Sequence, residues 1–400
     1  SAGRLGDLFG RRRLLLAGIA LFTLTSLLCG TAPTLSWLIA MRAAQGLGAA
    51  IMMALTIAMV SETVPPARTG SAMGMLGTMS AIGTSLGPSL GGALITALGW
   101  EAIFLINVPL GIFNLWLAWR YLPADDLSAK AASQGLDIGG TLLLVITLAA
   151  YALALTTARP GLASMGLLSV AILAVGAFIY AEARAPFPLV RLAMFRDPAL
   201  TASLTVSTLI ASVMMATLVI GPFYLSRTLG LDPISVGLVM SVGPVLSALS
   251  GVVAGRLVDR FGASRMVAAG LFAMMSGAVG LAALSPLFGI AGYIAAIVFL
   301  TPGYQLTQAA NNTALMTGIS PDRKGVVSGM LSLSRNLGLI TGTALMGALF
   351  TLATGTDITV APPEAVAGGM KTTFMVATSL ILATLVVAVK RRKPVRSRAA

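Results

Sequence analysis

The sequence predicts an all-α membrane protein made of two related helical bundles with two additional helices between them. Three observations predict it. Of 400 residues, 57% are hydrophobic and only 10% are charged, whereas soluble domains carry about 25% charged residues. Twelve apolar stretches are long enough to span, since about 20 apolar residues cross a bilayer. Two polar, glycine-bearing segments also recur at nearly the same spacing. The 44 glycines suit helices packed backbone to backbone.

In chain order the stretches cover 14–30, 35–60, 71–98, 102–120, 138–157, 162–181, 199–222, 234–254, 266–284, 289–310, 326–350 and 372–389. With the N-terminus placed in the cytoplasm, 21 of the 26 basic residues fall in cytoplasmic segments. They include Arg11, Arg12, Arg13, Arg68, Arg260, Lys324 and six residues of the tail from Lys390 to Arg398. Only Arg159, Arg227 and Lys371 fall on the other side, and Arg42 and Arg335 lie within helices. That bias is the positive-inside rule, and it predicts a multi-pass protein of the cell membrane with both ends cytoplasmic. The net charge of +13 is thereby a matter of topology, and no nucleic-acid partner is expected.

Several function classes are excluded by composition. There is no histidine, and Cys29 is the single cysteine, so no metal site and no disulfide are expected. No nucleophile–base pair can be assembled for an enzyme. No GxxxxGK[ST] loop occurs, which argues against ATP hydrolysis by this chain. No connection exceeds about twenty residues, leaving no room for a soluble catalytic domain. The chain starts at Ser1, without an initiator methionine, in a polar Gly/Arg segment with no cleavable signal.

GRLGDLFGRRR at 3–13 matches GRLVDRFGASR at 255–265, a spacing of 252. PARTGSAMGMLGTMSAIGTSLGPSLGGAL at 66–94 matches PDRKGVVSGMLSLSRNLGLITGTALMGAL at 321–349, a spacing of 255. Six helices can be counted around the second copy, but only four around the first. Two further helices match neither half. The expected organisation is 1–120 as an N-terminal bundle with four of six helices, then 121–198 as a linker with two extra spans. A C-terminal six-helix bundle with a basic tail follows over 199–400. The parent layout is 6 + 2 + 6, with twelve of fourteen spanners present and the first two missing.

With the loop Gly3–Arg13 between helices, the chain resembles the major facilitator superfamily. Its layout resembles the fourteen-spanner drug:proton antiporter family of EmrB/QacA type. RAAQGLGAA at 42–50 resembles that family's arginine-bearing fourth helix, and GTSLGPSLGG at 83–92 its fifth-helix antiporter signature. GWEAIFLINVPLG at 99–111 resembles the start of its sixth helix, with Glu101-Ala102 in place of the usual Arg-Trp.

In the first loop, Gly3 and Gly10 permit a tight turn, with Leu5 as the signature leucine between them. Asp7 can accept backbone N–H groups at the start of a helix from the opposite bundle, where the dipole favours an anion. Arg11, Arg12 and Arg13 can hold carboxylates or anionic lipid heads. Such a contact exists in one arrangement of an alternating-access cycle, and the resemblance implies a latch on the outward-facing form. Leu8 replaces the family's usual basic residue, whereas the second copy keeps Asp259 with Arg260.

Arg42 stands about seven residues into its helix, roughly 10 Å deep, where an arginine near mid-span costs about 2.5–3.5 kcal/mol. Its family counterpart takes part in proton coupling, with Gln45 and Gly46 in the same motif. Gly83, Gly87, Gly91 and Gly92 are expected to admit a neighbouring helix closely, and Pro88 to bend its own. The resemblance implies a seal against ion leak. Arg335 raises the same burial question as Arg42 and is a candidate cavity residue.

All 13 carboxylates fall in loops or at helix ends, so the titrating acid of a proton antiporter is expected in the missing helices. The implied activity is proton-coupled efflux of lipophilic drugs or metabolites, with the proton gradient as energy source and no cofactor. Expected partners are the bilayer, protons and a small lipophilic substrate, with a periplasmic adaptor left open. The alternatives are a narrow metabolite transporter of the same fold and a non-transporting truncated membrane protein.

Overall fold

Backbone amides inside a bilayer find no water, so each span must satisfy its hydrogen bonds internally and becomes helical. A computed structural model describes residues 5–6, 10–123, 137–156, 162–185, 188, 190, 192–320, 323–355 and 361–390. Among these residues the helices are α1 (Arg11–Gly30), α2 (Leu35–Thr63), α3 (Thr69–Leu98), α4 (Ala102–Leu105), α5 (Asn107–Tyr121) and α6 (Ile138–Thr156). They continue as α7 (Leu162–Arg184), α8 (Pro198–Phe223), α9 (Pro233–Phe261), α10 (Ala263–Met316), α11 (Lys324–Thr354) and α12 (Pro363–Lys390). Each of the twelve apolar stretches falls on this set, and no strand occurs among the described residues. Helix α10, 54 residues long, is two spans in series, because its helical path breaks at Gly289 (φ 54°, ψ −126°).

Local chemistry sets the helix ends. Thr34 accepts the Trp37 N–H at 3.2 Å and caps α2. Asp197-Pro198 and Asp232-Pro233 start α8 and α9 alike: the carboxylate accepts the amides that follow, and proline takes a position that needs no donor. Gly10 (φ 93°, ψ 131°) and Gly262 (φ 85°, ψ 141°) precede α1 and α10 with the same left-handed turn. They are equivalent positions of the repeat, and the shared backbone geometry is its structural counterpart.

Asp232 provides a test of one cap. The Ser235 hydroxyl and amide, helped by the Ile234 amide, hold its carboxyl below the ordinary value of 3.8. A depressed carboxylate contributes stability that is complete above the unfolded value and lost as pH falls through the folded one. Amide exchange at Ile234 and Ser235 should therefore quicken only below about pH 4, and Asp232→Ala should make it fast at every pH. An exchange rate at neutral pH that is indifferent to Asp232→Ala would remove the cap.

The described chain divides into two compact units. One comprises residues 1–65, 83–137 and 319–332. Here α1 lies against α2 and α5, with Leu15, Ile19, Ile51, Leu55 and Ala118 at the core. The other comprises 66–82, 138–318 and 333–400. Its core gathers Ile210, Leu271, Met274, Tyr293, Phe350 and Phe374 from α8, α10, α11 and α12. Inside a bilayer, lipid is as apolar as these side chains, so what holds them is close packing and polar contacts rather than exclusion of water.

The start of α3 thus belongs to the unit that holds the second repeat copy, and the start of α11 to the unit that holds the first. Large apolar side chains point outward, with Leu162 at 91% exposure and Ile234 at 76%. Nine helices among the described residues are long and apolar enough to cross a membrane, α10 counting once. Trp100, Trp116, Trp119 and Tyr121 are exposed around α4 and α5, the placement of interfacial aromatic residues.

Candidate functional site

The second copy of the repeated loop brings a carboxylate to a helix start. Asp259, near the end of α9, accepts the Gly70 N–H at 2.7 Å and the Ser71 N–H at 2.8 Å. The Ser71 hydroxyl donates to the same carboxylate. These are the first free amides of α3, where the helix dipole is positive, so the anion is held by charge-assisted bonds. Below this cap α3 and α9 cross on glycine. A Cβ at Gly74 would overlap the Gly251 carbonyl and lie 2.8 Å from the Gly255 Cα. One at Gly255 would overlap the Gly70 carbonyl and lie 2.7 Å from the Ser71 Cα. Arg260 points elsewhere, with its guanidinium carbon 5.2 Å from the Phe261 ring centre.

Of the first copy, Gly3 and Asp7 lie outside the described residues. Leu5 is half-buried, and Gly10 makes the turn already described. Arg11 is buried and Arg13 exposed. Arg12 donates to the Trp119 carbonyl in the last turn of α5, where the helix dipole favours a cation. At the start of α11, Lys324 donates to the Ser61 carbonyl at 2.6 Å, in the last turn of α2. Ser71, Gly74 and Gly251 carry no functional mark of their own in the sequence, where Lys324 stands only among the cytoplasmic basic residues. The signal for the glycines was present as Gly70-x3-Gly74 facing Gly251-x3-Gly255-x3-Asp259.

Arg42 donates to Gln45 Oε1 at 2.7 Å, and the buried Gln45 donates through Nε2 to Ser26 Oγ at 2.6 Å. Its guanidinium carbon stands 5.5 Å from the Phe104 ring centre, within cation–π range. At Gly46 of the same motif a Cβ would meet no atom of the described residues within 4 Å.

At Gly83 and Gly91 a Cβ would meet no atom of the described residues within 4 Å. The close crossing of α3 lies at Gly70 and Gly74, about two and a half turns or more before Gly83, because that half of the helix packs on α9. The side chains at Gly87, Pro88 and Gly92 lie outside the described residues.

Arg335 sits on α11, a helix of 31 residues, four positions from its midpoint, hence about 6 Å from the centre of the span. Ser328, Leu331, Gly338, Gly342 and Met346 on the same stripe are buried, and Arg335 occupies the i+4 place after Leu331 and the i−3 place before Gly338. Its Nε is buried without a hydrogen-bond partner among the described residues.

Sequence comparison agrees with this architecture. The profile of the Major Facilitator Superfamily matches residues 1–343. The riboflavin transporter RibZ of Clostridioides difficile is 31% identical over 351 residues, 87% of this chain and 75% of RibZ. The multidrug resistance protein Stp of Mycobacterium tuberculosis is 31% identical over 354 residues, 87% of this chain and 65% of Stp. The crystal structure of the human organic anion transporter MFSD10 superposes with a TM-score of 0.70 at 16% identity, covering 97% of this chain and 79% of that one. At that identity the likeness is one of fold alone. Two copies of one glycine-bounded loop, an all-helical span set and a profile running through most of the sequence place this membrane chain in the Major Facilitator Superfamily of transporters.

Proposed function

We propose that the protein is a proton-coupled exporter of lipophilic drugs or metabolites, of the fourteen-spanner drug:proton antiporter type, working by alternating access. The observation that carries this reading is the Asp259 cap on Gly70 and Ser71. It ties a helix of the N-terminal repeat to a helix of the C-terminal repeat by bonds that rigid-body rocking would break. With both ends in the cytoplasm of a cell-membrane protein, the cap and the Lys324–Ser61 bond lie on the cytoplasmic side. They then hold that side shut, as an outward-facing form requires. The Stp name favours drug efflux, and the domain division at 1–120, 121–198 and 199–400 goes with the same reading. Protons are the second substrate, the bilayer is the only partner required, and Arg42 with Gln45 lies on the proton path.

A second reading, a narrow exporter or importer of one metabolite, is favoured by the RibZ relative. Everted vesicles carrying the full-length protein separate the two. Several unrelated lipophilic dyes should each dissipate an imposed proton gradient, and Arg42→Ala should abolish that response. Response to a single compound would favour the metabolite reading. An undiminished response in Arg42→Ala would leave the arginine out of coupling.

A further inference from the structure

Arg335 is the permanent charge closest to the centre of its span, and it lies on the buried stripe of α11. Residues 328, 331, 338, 342 and 346 of its stripe are buried. Gly338 and Gly342 press α11 onto the Thr208 and Ser212 backbone of α8, which fixes the rotation of the helix and so the direction of residue 335. Ser212 seals that contact by donating to the Gly338 carbonyl at 2.9 Å. On the neighbouring side, Tyr151 and Thr341 hydroxyls meet at 2.6 Å, a second contact that holds the rotation of α11.

A guanidinium held in such a place needs an anion. None of the 13 carboxylates of the chain stands in the middle of a span. Arg335 Nε and, one turn before it, Ser332 Oγ are both buried without partners among the described residues. A guanidinium beside a hydroxyl is a donor set for a carboxylate or phenolate. The other intramembrane arginine, Arg42, already has Gln45 and the Phe104 ring.

We propose that Arg335, with Ser332, is a substrate site for amphipathic organic anions, and that the protein prefers such anions to lipophilic cations. This rests on the transport reading for its physiological meaning, but not for its binding chemistry. The site has no counterpart in the first repeat, where Ser80 occupies the aligned position. The charge at 335 is therefore one that the repeat itself does not supply.

Fluorescein and rhodamine 123 share a xanthene scaffold and carry opposite charge, so they are the probes. The purified full-length protein should bind fluorescein at least about tenfold more tightly than rhodamine 123, the size expected when a charged hydrogen-bonding partner is present for one dye only. Arg335→Gln should weaken fluorescein binding by about tenfold or more and leave rhodamine 123 unchanged. Equal affinity of the wild-type protein for the two dyes, or a preference for rhodamine 123, overturns the proposal without any variant. Unchanged fluorescein affinity in a folded Arg335→Gln protein overturns it as well. Flux is measured separately in vesicles. Dye binding that depends on Arg335 without movement of either dye would sink the transport reading and keep the site. Movement of both dyes with binding indifferent to Arg335 would do the reverse.

Discussion

Replacing Gly255 by leucine is expected to reduce transport to background while leaving the protein inserted in the membrane. The atoms that a Cβ would meet at Gly255 are backbone: the Gly70 carbonyl, the Ser71 Cα and, at 3.0 Å, the Gly70 carbonyl carbon. Backbone cannot turn aside as a side chain does, so the two helices must separate. Overpacking costs about 1–3 kcal/mol even where side chains can yield, and a shift of that size moves a two-state equilibrium about 5–150-fold. The separation also carries Asp259, one turn further along α9, away from its amides.

Thr78, 6% exposed beneath the crossing, offers the readout. Thr78→Cys should be protected from an impermeant maleimide supplied on the cytoplasmic face, and should react quickly once Gly255→Leu is added. Gly46→Ala and Gly91→Ala serve as controls for added bulk, since no atom of the described residues lies within 4 Å of a Cβ at either position. Normal transport and continued protection of residue 78 in Gly255→Leu would mean that the crossing does not close anything.

The spans were legible because hydropathy and helix coincide in a bilayer, where no other backbone conformation satisfies itself. Their ends were less so. α1 begins at Arg11 rather than 14, and α12 at Pro363 rather than 372. In both places charged residues extend the helix beyond its apolar part, and a hydropathy window stops where charge begins. The break inside 102–120 at Ile106 was also hidden, since Ile106 keeps helical angles and the residues around it remain apolar.

At the site, the chemistry was more legible than the address. A carboxylate of the repeated loop was expected at a helix start, and Asp259 shows that contact, but Ser71 as the hydroxyl partner was not foreseen. Close helix approach was expected on α3, yet at Gly83 and Gly91 rather than at Gly70 and Gly74. Small residues four apart run along most of α3, so spacing alone could not say which of them meets a neighbour. Arg42 was expected to need a partner, and Gln45 supplies it through sequence proximity. Phe104, which joins through space, carries no trace of that role in its position along the chain.

Replacing Asp259 by alanine should have the second largest effect, and its sign distinguishes a latch from a topology anchor. An anchor would tolerate the change, because the positive-inside rule reads lysine and arginine and hardly notices an aspartate. A latch would not. Two charge-assisted bonds to the α3 amides vanish together with the dipole interaction, and two buried N–H groups lose their acceptor. Hydrogen bonds to a charged group contribute about 1.5–3 kcal/mol, so the closed arrangement should lose at least about tenfold in population relative to its alternative. Cytoplasmic labelling of Thr78→Cys should rise accordingly, and net transport should fall, since the cycle then stalls in one state.

Asp259→Asn should be milder, because asparagine is a competent helix cap that keeps one acceptor and loses the charge. Ser71→Ala should be milder still, removing a single hydroxyl bond of about 0.5–1.5 kcal/mol. Combined with Asp259→Ala it should add nothing, because the two groups serve one contact. Additive effects of the two substitutions would separate the serine from the aspartate. Wild-type labelling and transport in Asp259→Ala would leave the carboxylate as a helix cap with no part in the cycle, and alternating access would then need a different closing contact.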